Sequence, residues 1–105
     1  MNGWKKRKVT ASGIVGSAGE IFGGIMVPTV GTTTTVTAYD DTSAAAANLL
    51  FPATATLTAG QFINPVGGVV PITADKSLGQ GLFLHTGLYL TIGGTGSPSM
   101  WVLYK

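Results

Sequence analysis

Short segments rich in β-branched and aromatic residues, separated by glycine, proline or aspartate, recur along the whole chain. The clearest is Thr32–Tyr39, which alternates in the manner of a strand with two different faces. One face would carry Thr32, Thr34, Val36 and Ala38, and the other Thr33, Thr35, Thr37 and Tyr39. About seven or eight such segments, with turns at intervals of roughly 8–12 residues, are typical of all-β sandwiches. We therefore predict an all-β fold, an antiparallel β-sandwich that is jelly-roll-like.

The remaining predicted strands are residues 8–12 with 14–15, 20–27, 62–63, 69–70, 82–85, 88–92 and 100–104, and residues 49–51 and 53–58 are short candidates around Pro52. Residues 88–92 and 100–104 are predicted to pair as an antiparallel hairpin across the glycine-rich loop 93–98. Helix-forming residues are concentrated in segment 43–50, which Pro52 ends after two turns at most. We expect at most one short helical turn there.

Length limits the number of domains, and composition limits the chemistry that the chain can perform. The chain has 105 residues, which is the size of one domain. It contains no cysteine, which excludes a disulfide scaffold, a thiolate zinc site and a cysteine nucleophile. Its 45% hydrophobic content with 10% charged residues is the reverse of the composition of disordered chains.

Three long stretches, 21–39, 42–74 and 77–104, contain no charged residue. Threonine, asparagine, proline or glycine interrupts each of them, so we expect no membrane span. The residues after position 8 also lack the apolar run of a secretory signal. A surface with so few charges favours association, and large exposed apolar patches mark interfaces. We therefore expect an assembled protein, covered by neighbours or by copies of itself.

The residues capable of catalysis or metal binding are few. His85 is the only histidine, so no paired-histidine metal spacing exists, and we interpret it as structural. Adjacent Asp40 and Asp41 would point to opposite faces of a strand; we interpret them as turn residues, with a calcium site shared with Asp75 as the alternative. Loop 93–98 lacks the Lys-Ser or Lys-Thr pair of a phosphate-binding loop. We expect no enzymatic activity, no metal and no cofactor.

Trp4 precedes a run of four basic residues. They are Lys5, Lys6, Arg7 and Lys8. Such a run can bind phosphates or an acidic protein surface, more weakly as salt rises. Its structural alternatives are a solvated tail or an edge strand whose lysines discourage unwanted pairing. We predict a basic N-terminal arm over residues 1–8 before a single domain over residues 9–105. Trp4 and the basic run are the candidate partner-binding residues, and nucleic acid is not the expected partner because the net charge is only +2.

Two segments resemble small structural proteins of tailed bacteriophage virions. The first is 86–96, Thr-Gly-Leu-Tyr-Leu-Thr-Ile-Gly-Gly-Thr-Gly, followed by Val102, Leu103 and Tyr104. The second is 35–43, Thr-Val-Thr-Ala-Tyr-Asp-Asp-Thr-Ser, with the Leu-Phe step at 50–51 after it. In those proteins a strand ending in a Tyr-Asp turn precedes a small-residue loop, and a Gly-Leu-Tyr strand leads into the final hairpin. The resemblance covers roughly residues 9–105 and does not include the basic run.

The resemblance implies a non-enzymatic particle component, a capsid decoration (cement) protein on the exterior of the virion. It implies the major capsid protein as partner and self-association, with a trimer favoured. Two alternatives remain. The aromatic residues could form a sugar-binding platform, as in a head-fibre or tail-fibre tip domain that binds host-surface carbohydrate. The chain could also be an accessory domain of an enzyme.

Overall fold

The computed structural model describes residues 4–71 and 81–105, which form two antiparallel sheets packed face to face. The strands are β1 (Lys5–Val9), β2 (Gly13–Ser17), β3 (Ile21–Thr29), β4 (Thr32–Tyr39), β5 (Leu49–Phe51), β6 (Gln61–Ile63), β7 (Val69–Pro71), β8 (Leu82–Phe83), β9 (Gly87–Thr95) and β10 (Ser99–Tyr104). The helical element of the described residues is a single 3₁₀ turn, Ala46–Asn48, at the predicted position. The predicted all-β sandwich is confirmed.

The order of the strands gives the topology. Sheet A has the order β1-β10-β3-β6-β7, with β8 also paired to β3, and sheet B has the order β2-β9-β4-β5. Apart from the short β7 and β8, the strands pair first with last in a nested series: β1 with β10, β2 with β9, β3 with β6 and β4 with β5. This nested pairing, wrapped into two sheets, is the jelly-roll arrangement.

The predicted hairpin of residues 88–92 and 100–104 is wrong. Both segments are strands, but β9 lies in sheet B between β2 and β4, whereas β10 lies in sheet A between β1 and β3. The chain crosses from one sheet to the other between Thr95 and Ser99. Alternation identifies only the buried face of a strand, and the two sheets bury their inner faces in the same core. The sequence pattern therefore could not distinguish a hairpin from a crossover.

The core lies between the inner faces of the sheets. Sheet B contributes Leu88 and Leu90, both fully buried, and sheet A contributes Met100 and Val102. Thr34, Val36 and Ala38 are also completely buried, so the predicted inner face of β4 is correct from Thr34 onward. Thr34 is tolerated in the core because its Oγ1 accepts a hydrogen bond of 2.8 Å from the Gly31 N–H.

Two predicted boundaries differ from the structure. Residues 53–58 are not a strand: the Thr54 and Leu57 N–H groups donate to carbonyls of β4, but no continuous ladder forms after Pro52. Residues 5–8 are not an arm separate from the domain, because they belong to β1, whose five residues all pair with β10 and whose Val9 is buried. The sandwich therefore begins at Lys5, and residues 1–3 lie outside the described part of the chain.

Candidate functional site

The candidate residues Trp4–Lys8 lie at one edge of sheet A. β1 is the outermost strand, and Lys6 is opposite Leu103 while Lys8 is opposite Trp101. Opposite residues of neighbouring strands share a face, so Lys6 and Lys8 lie on the outer face of sheet A. Lys5 and Arg7 lie on the other face, towards sheet B. We call β1 with its four basic side chains the basic edge.

The Arg7 side chain makes its contacts within the domain. Its guanidinium donates to the Val15 carbonyl on β2, lies 3.4 Å from a Glu20 carboxylate oxygen, and covers the Tyr104 ring at 4.0 Å. Because β1 and β2 belong to different sheets, Arg7 links the two sheets at their edge. This is the single ion pair among residues 4–71 and 81–105.

The pair also shifts both ionisation equilibria. The hydrogen bond to Glu20 raises the pKa of Arg7. Partial burial opposes ionisation of Glu20, but the hydrogen bonds from Arg7 and from the Ser17 N–H outweigh it and lower the pKa of Glu20. Both groups stay charged at neutral pH, and Arg7 acts as a structural link.

Trp4 is also anchored within the domain. Its ring packs against Gly23 and Gly81, where a β-carbon would collide with it, and the Lys105 Nζ lies 4.7 Å from the ring centroid. Gly23 belongs to an irregularity where β3 inserts one extra residue opposite β10. The adjacent Gly24 makes room in the same way for the Phe62 ring. These two glycines place two aromatic rings on the outside of sheet A.

A continuous row of side chains crosses the outer face of sheet A. Cross-strand pairing connects Lys8, Trp101, Met26, Phe62 and Val70 in that order, one from each of five strands. Phe62 is only 6% exposed, although it lies on the outer face of sheet A and not in the core that the two sheets enclose. The neighbouring Leu103 is fully buried there as well, and the Lys6 Nζ lies 4.7 Å from the Trp101 ring centroid. We call this the aromatic face: apolar, partly covered by its own rings, and bordered by lysines.

A second row crosses the outer face of sheet B. Pairing connects Ile14, Tyr89, Tyr39 and Leu49, one from each of the four strands. Ile14 is 60% exposed and Leu49 is 43% exposed. The Tyr39 and Tyr89 rings meet edge to face, with centroids 6.3 Å apart. None of the four strands contains a charged residue. We call this surface the neutral face.

Asp40 and His85 both make contacts within the domain. Asp40 accepts hydrogen bonds from the backbone N–H groups of His85, Thr86 and Gly87, at 3.1, 2.9 and 3.3 Å. Burial opposes its ionisation, but these three donors outweigh that effect and lower the pKa of Asp40. The exposed His85 ring packs edge-on against Phe83 with centroids 5.0 Å apart. Asp40 thus fixes the segment between β8 and β9 to the end of β4.

Asp41 also makes turn contacts, as predicted for this residue. It accepts from the Asn48 side-chain amide at 2.8 Å and from the Thr42 N–H at 2.6 Å. The side-chain bond from Asn48 is the main cause of its lowered pKa. Within residues 4–71 and 81–105 no three acidic or histidine side chains are grouped as a metal site would require. Asp75, the third residue of the alternative calcium site, lies outside the described residues.

Gly94, in loop 93–98, packs closely against the backbone of β4. Residues 93–95 extend β9 opposite β4, and Gly94, at a φ of +92°, would clash with the Thr32 and Thr33 carbonyl oxygens if it had a β-carbon. The close backbone contact explains why residue 94 is glycine, and no phosphate ligand is needed to explain it.

The two rows are the features that sequence reasoning missed. The outward positions of Tyr39 and Tyr89 follow from alternation, but their alignment across strands depends on register, which the sequence pattern does not give. Among the described residues no helix has the length and apolar character to cross a bilayer. Comparison of the chain with protein-family models, curated proteins and solved structures returned no match.

Proposed function

We propose that this chain is a non-enzymatic structural protein of a bacteriophage virion, a capsid decoration protein that self-associates and stabilises the icosahedral shell from outside. The observation that carries the proposal is the neutral face. A row of partly exposed apolar and aromatic side chains spans all four strands of a sheet that contains no charge. Such a surface loses apolar exposure on association and pays little for desolvating charges.

The fold and the polar contacts agree with this proposal. Jelly rolls recur in viral capsid and lectin domains, although fold analogy alone does not assign a function. Asp40 and Glu20, which could act as acids or bases in an enzyme, instead hold loops and sheet edges together. The proposed partners are the major capsid protein and further copies of this chain, with a trimer as the expected oligomer.

The test is to place a charge on the neutral face. Tyr89→Lys adds a charge at the centre of the row, and Ala59→Lys adds the same charge at an exposed turn beside β6. We expect the unchanged protein and Ala59→Lys to be oligomeric by light scattering, to bind empty capsid shells of the parent phage and to raise their rupture temperature. Tyr89→Lys should remain folded but lose these properties. A monomeric unchanged protein without affinity for shells would contradict the proposal.

The second candidate function is recognition of host-surface carbohydrate by a fibre-tip domain. The observation that favours it is the pair of adjacent tyrosines, Tyr39 and Tyr89, on an open surface. Their ring planes meet at 61°, so they do not form the flat platform on which a sugar ring stacks. Binding to glycans without binding to shells would favour this second function.

A further inference from the structure

We propose that the basic edge binds an extended acidic segment of a partner polypeptide, which adds to sheet A as a strand beside β1. This surface is distinct from the neutral face, and the inference does not depend on the assignment to a virion. It is carried by an open strand edge, by the placement of the lysines on that edge, and by an excess of positive charge around it.

β1 leaves one edge of sheet A open. β1 pairs with β10 on one side, and no other strand within residues 4–71 and 81–105 pairs with it. An edge strand offers unpaired N–H and C=O groups, and extended peptides bind to such edges by main-chain hydrogen bonds. The exposed residues of β1 are Lys5, Lys6 and Lys8, and none of them is apolar.

The open edge carries an excess of positive charge. The edge strand carries four cationic side chains, Lys5, Lys6, Arg7 and Lys8, and Glu20 is the carboxylate that is paired with one of them. Glu20 neutralises Arg7 and leaves the lysines without an ion pair among the described residues. A neutral strand added at this edge would desolvate the lysine charges, and a basic strand would be repelled by them. The lysines therefore select an acidic strand.

The spacing of the lysines matches that of a strand. Lys6 and Lys8 are two residues apart on one face of β1, and their Cα atoms are therefore roughly 7 Å apart. A strand added beside β1 presents alternate side chains on that same face, at the same spacing. The structure therefore specifies the ligand as a segment with carboxylates at alternate positions.

The aromatic rings beside the lysines favour a polypeptide over a nucleic acid as the ligand. Single-stranded nucleic acids bind by stacking bases on open aromatic rings in a basic groove. Here Lys105 covers Trp4, which packs against Gly23, and Lys6 covers Trp101. The rings nearest the lysines are therefore already engaged. The described carboxylates of this chain are also engaged, so a second copy offers no acidic strand from residues 4–71 and 81–105.

The probes are three kinds of synthetic peptide, measured by calorimetry with the full chain. The first alternates glutamate and threonine, and the second has the same residues as a glutamate block followed by a threonine block. The third is the alternating peptide with N-methyl groups on every second backbone nitrogen, in two isomers. We expect the alternating peptide to bind more tightly than the block peptide. The two N-methyl isomers should differ, since only one set of N–H groups faces β1.

Variants of the chain test the residues. Lys8→Gln should weaken binding of the alternating peptide by about twofold to fivefold, as expected for one exposed ion pair. Lys105→Gln removes the same charge away from the added strand and should have less effect. The double variant Lys6→Glu with Lys8→Glu should lose the glutamate peptide and gain a peptide that alternates lysine and threonine. The circular dichroism spectrum of the double variant should match that of the unchanged protein, which shows that the change in peptide preference does not come from unfolding.

Several results would overturn the inference. Equal affinity for the alternating, block and N-methylated peptides would show attraction between charges without strand addition. Tighter binding of an oligothymidine of matched charge would identify a nucleic-acid site. A change in solution mass caused by Lys6→Glu with Lys8→Glu would show that β1 pairs with a second copy of this chain.

Discussion

Gly23 lies directly against the indole ring of Trp4, so close that a β-carbon on Gly23 would collide with the ring. The contact joins a residue before β1 to the irregular part of β3, and it fixes the start of the described chain to the outer face of sheet A. The glycine is required here by space and not by its backbone angle, because it is not among the residues with positive φ.

Gly23→Ala should therefore displace the Trp4 ring or strain β3. We expect a loss of about 1–3 kcal/mol in the free energy of unfolding, the usual cost of overpacking. In a Trp4→Ala background the same substitution should cost much less, because the colliding ring is gone. Urea denaturation of the four proteins of this double-mutant cycle measures the difference. A cost that is equal in both backgrounds would place the strain elsewhere.

Arg7 and Glu20 join the edges of the two sheets, and their coupling can be measured. We expect Arg7→Gln to cost about 1–2 kcal/mol, because it loses a backbone acceptor and the stacking on Tyr104 as well as the ion pair. The coupling energy with Glu20→Gln should be about 0.5–1 kcal/mol and should decrease with salt. Lys5→Gln, on the same face of β1, is the control and should change stability by less than about 0.5 kcal/mol. Zero coupling would mean that the ion pair contributes nothing.

The fold class could be predicted because it depends on local information. Alternation in β4 identifies Thr34, Val36 and Ala38 as its inner face, and all three are buried. The pairing of β9 and β10 could not be predicted, because it is set by contacts between residues far apart in the sequence, such as Val102 with Ile25. Strands with the same alternation fit either sheet.

The candidate site was located in part. The basic run was recognised by its charge, but residues 5–8 show no apolar alternation before Val9, so a tail and an edge strand looked alike in sequence. Arg7 faces the other sheet and reaches Glu20, which is how a charged side chain is accommodated on an inner position at the rim. The role of Trp4 depends on Gly23, nineteen positions later, and no local pattern connects them.

Thr33 is the non-glycine residue with positive φ, +52°, among residues 4–71 and 81–105. Left-handed backbone is costly for a β-branched residue, while asparagine tolerates it. Thr33→Asn should therefore stabilise the protein by about 0.5–1 kcal/mol. Thr37→Asn makes the same change on the same strand without a positive φ and should destabilise it, because asparagine is disfavoured in strands. Thermal unfolding of both variants measures whether each substitution raises or lowers the stability. A destabilised Thr33→Asn would show that the contacts of the threonine hydroxyl outweigh the backbone strain.

Asp40 should make the stability of the protein depend on pH in the acidic range. Its pKa is lowered in the folded protein, so the unfolded chain, with a pKa of about 3.9, takes up its proton first as the pH falls. The stabilisation is therefore complete above about pH 5 and is lost as the pH falls below about 4 and through the lower pKa of the folded state.

Asp40→Asn cannot gain or lose this proton. We expect it to be less stable than the unchanged protein by about 2 kcal/mol at neutral pH, because three backbone N–H groups lose a charged acceptor. The difference should shrink towards acidic pH, where the protonated carboxyl of Asp40 and the neutral amide of the variant become similar acceptors. Asp41→Asn, whose carboxylate bonds only residues of its own loop, should show a smaller loss at neutral pH. Urea denaturation at neutral pH and at about pH 3 checks both, and a difference independent of pH would mean that the charge of Asp40 does not hold the segment between β8 and β9.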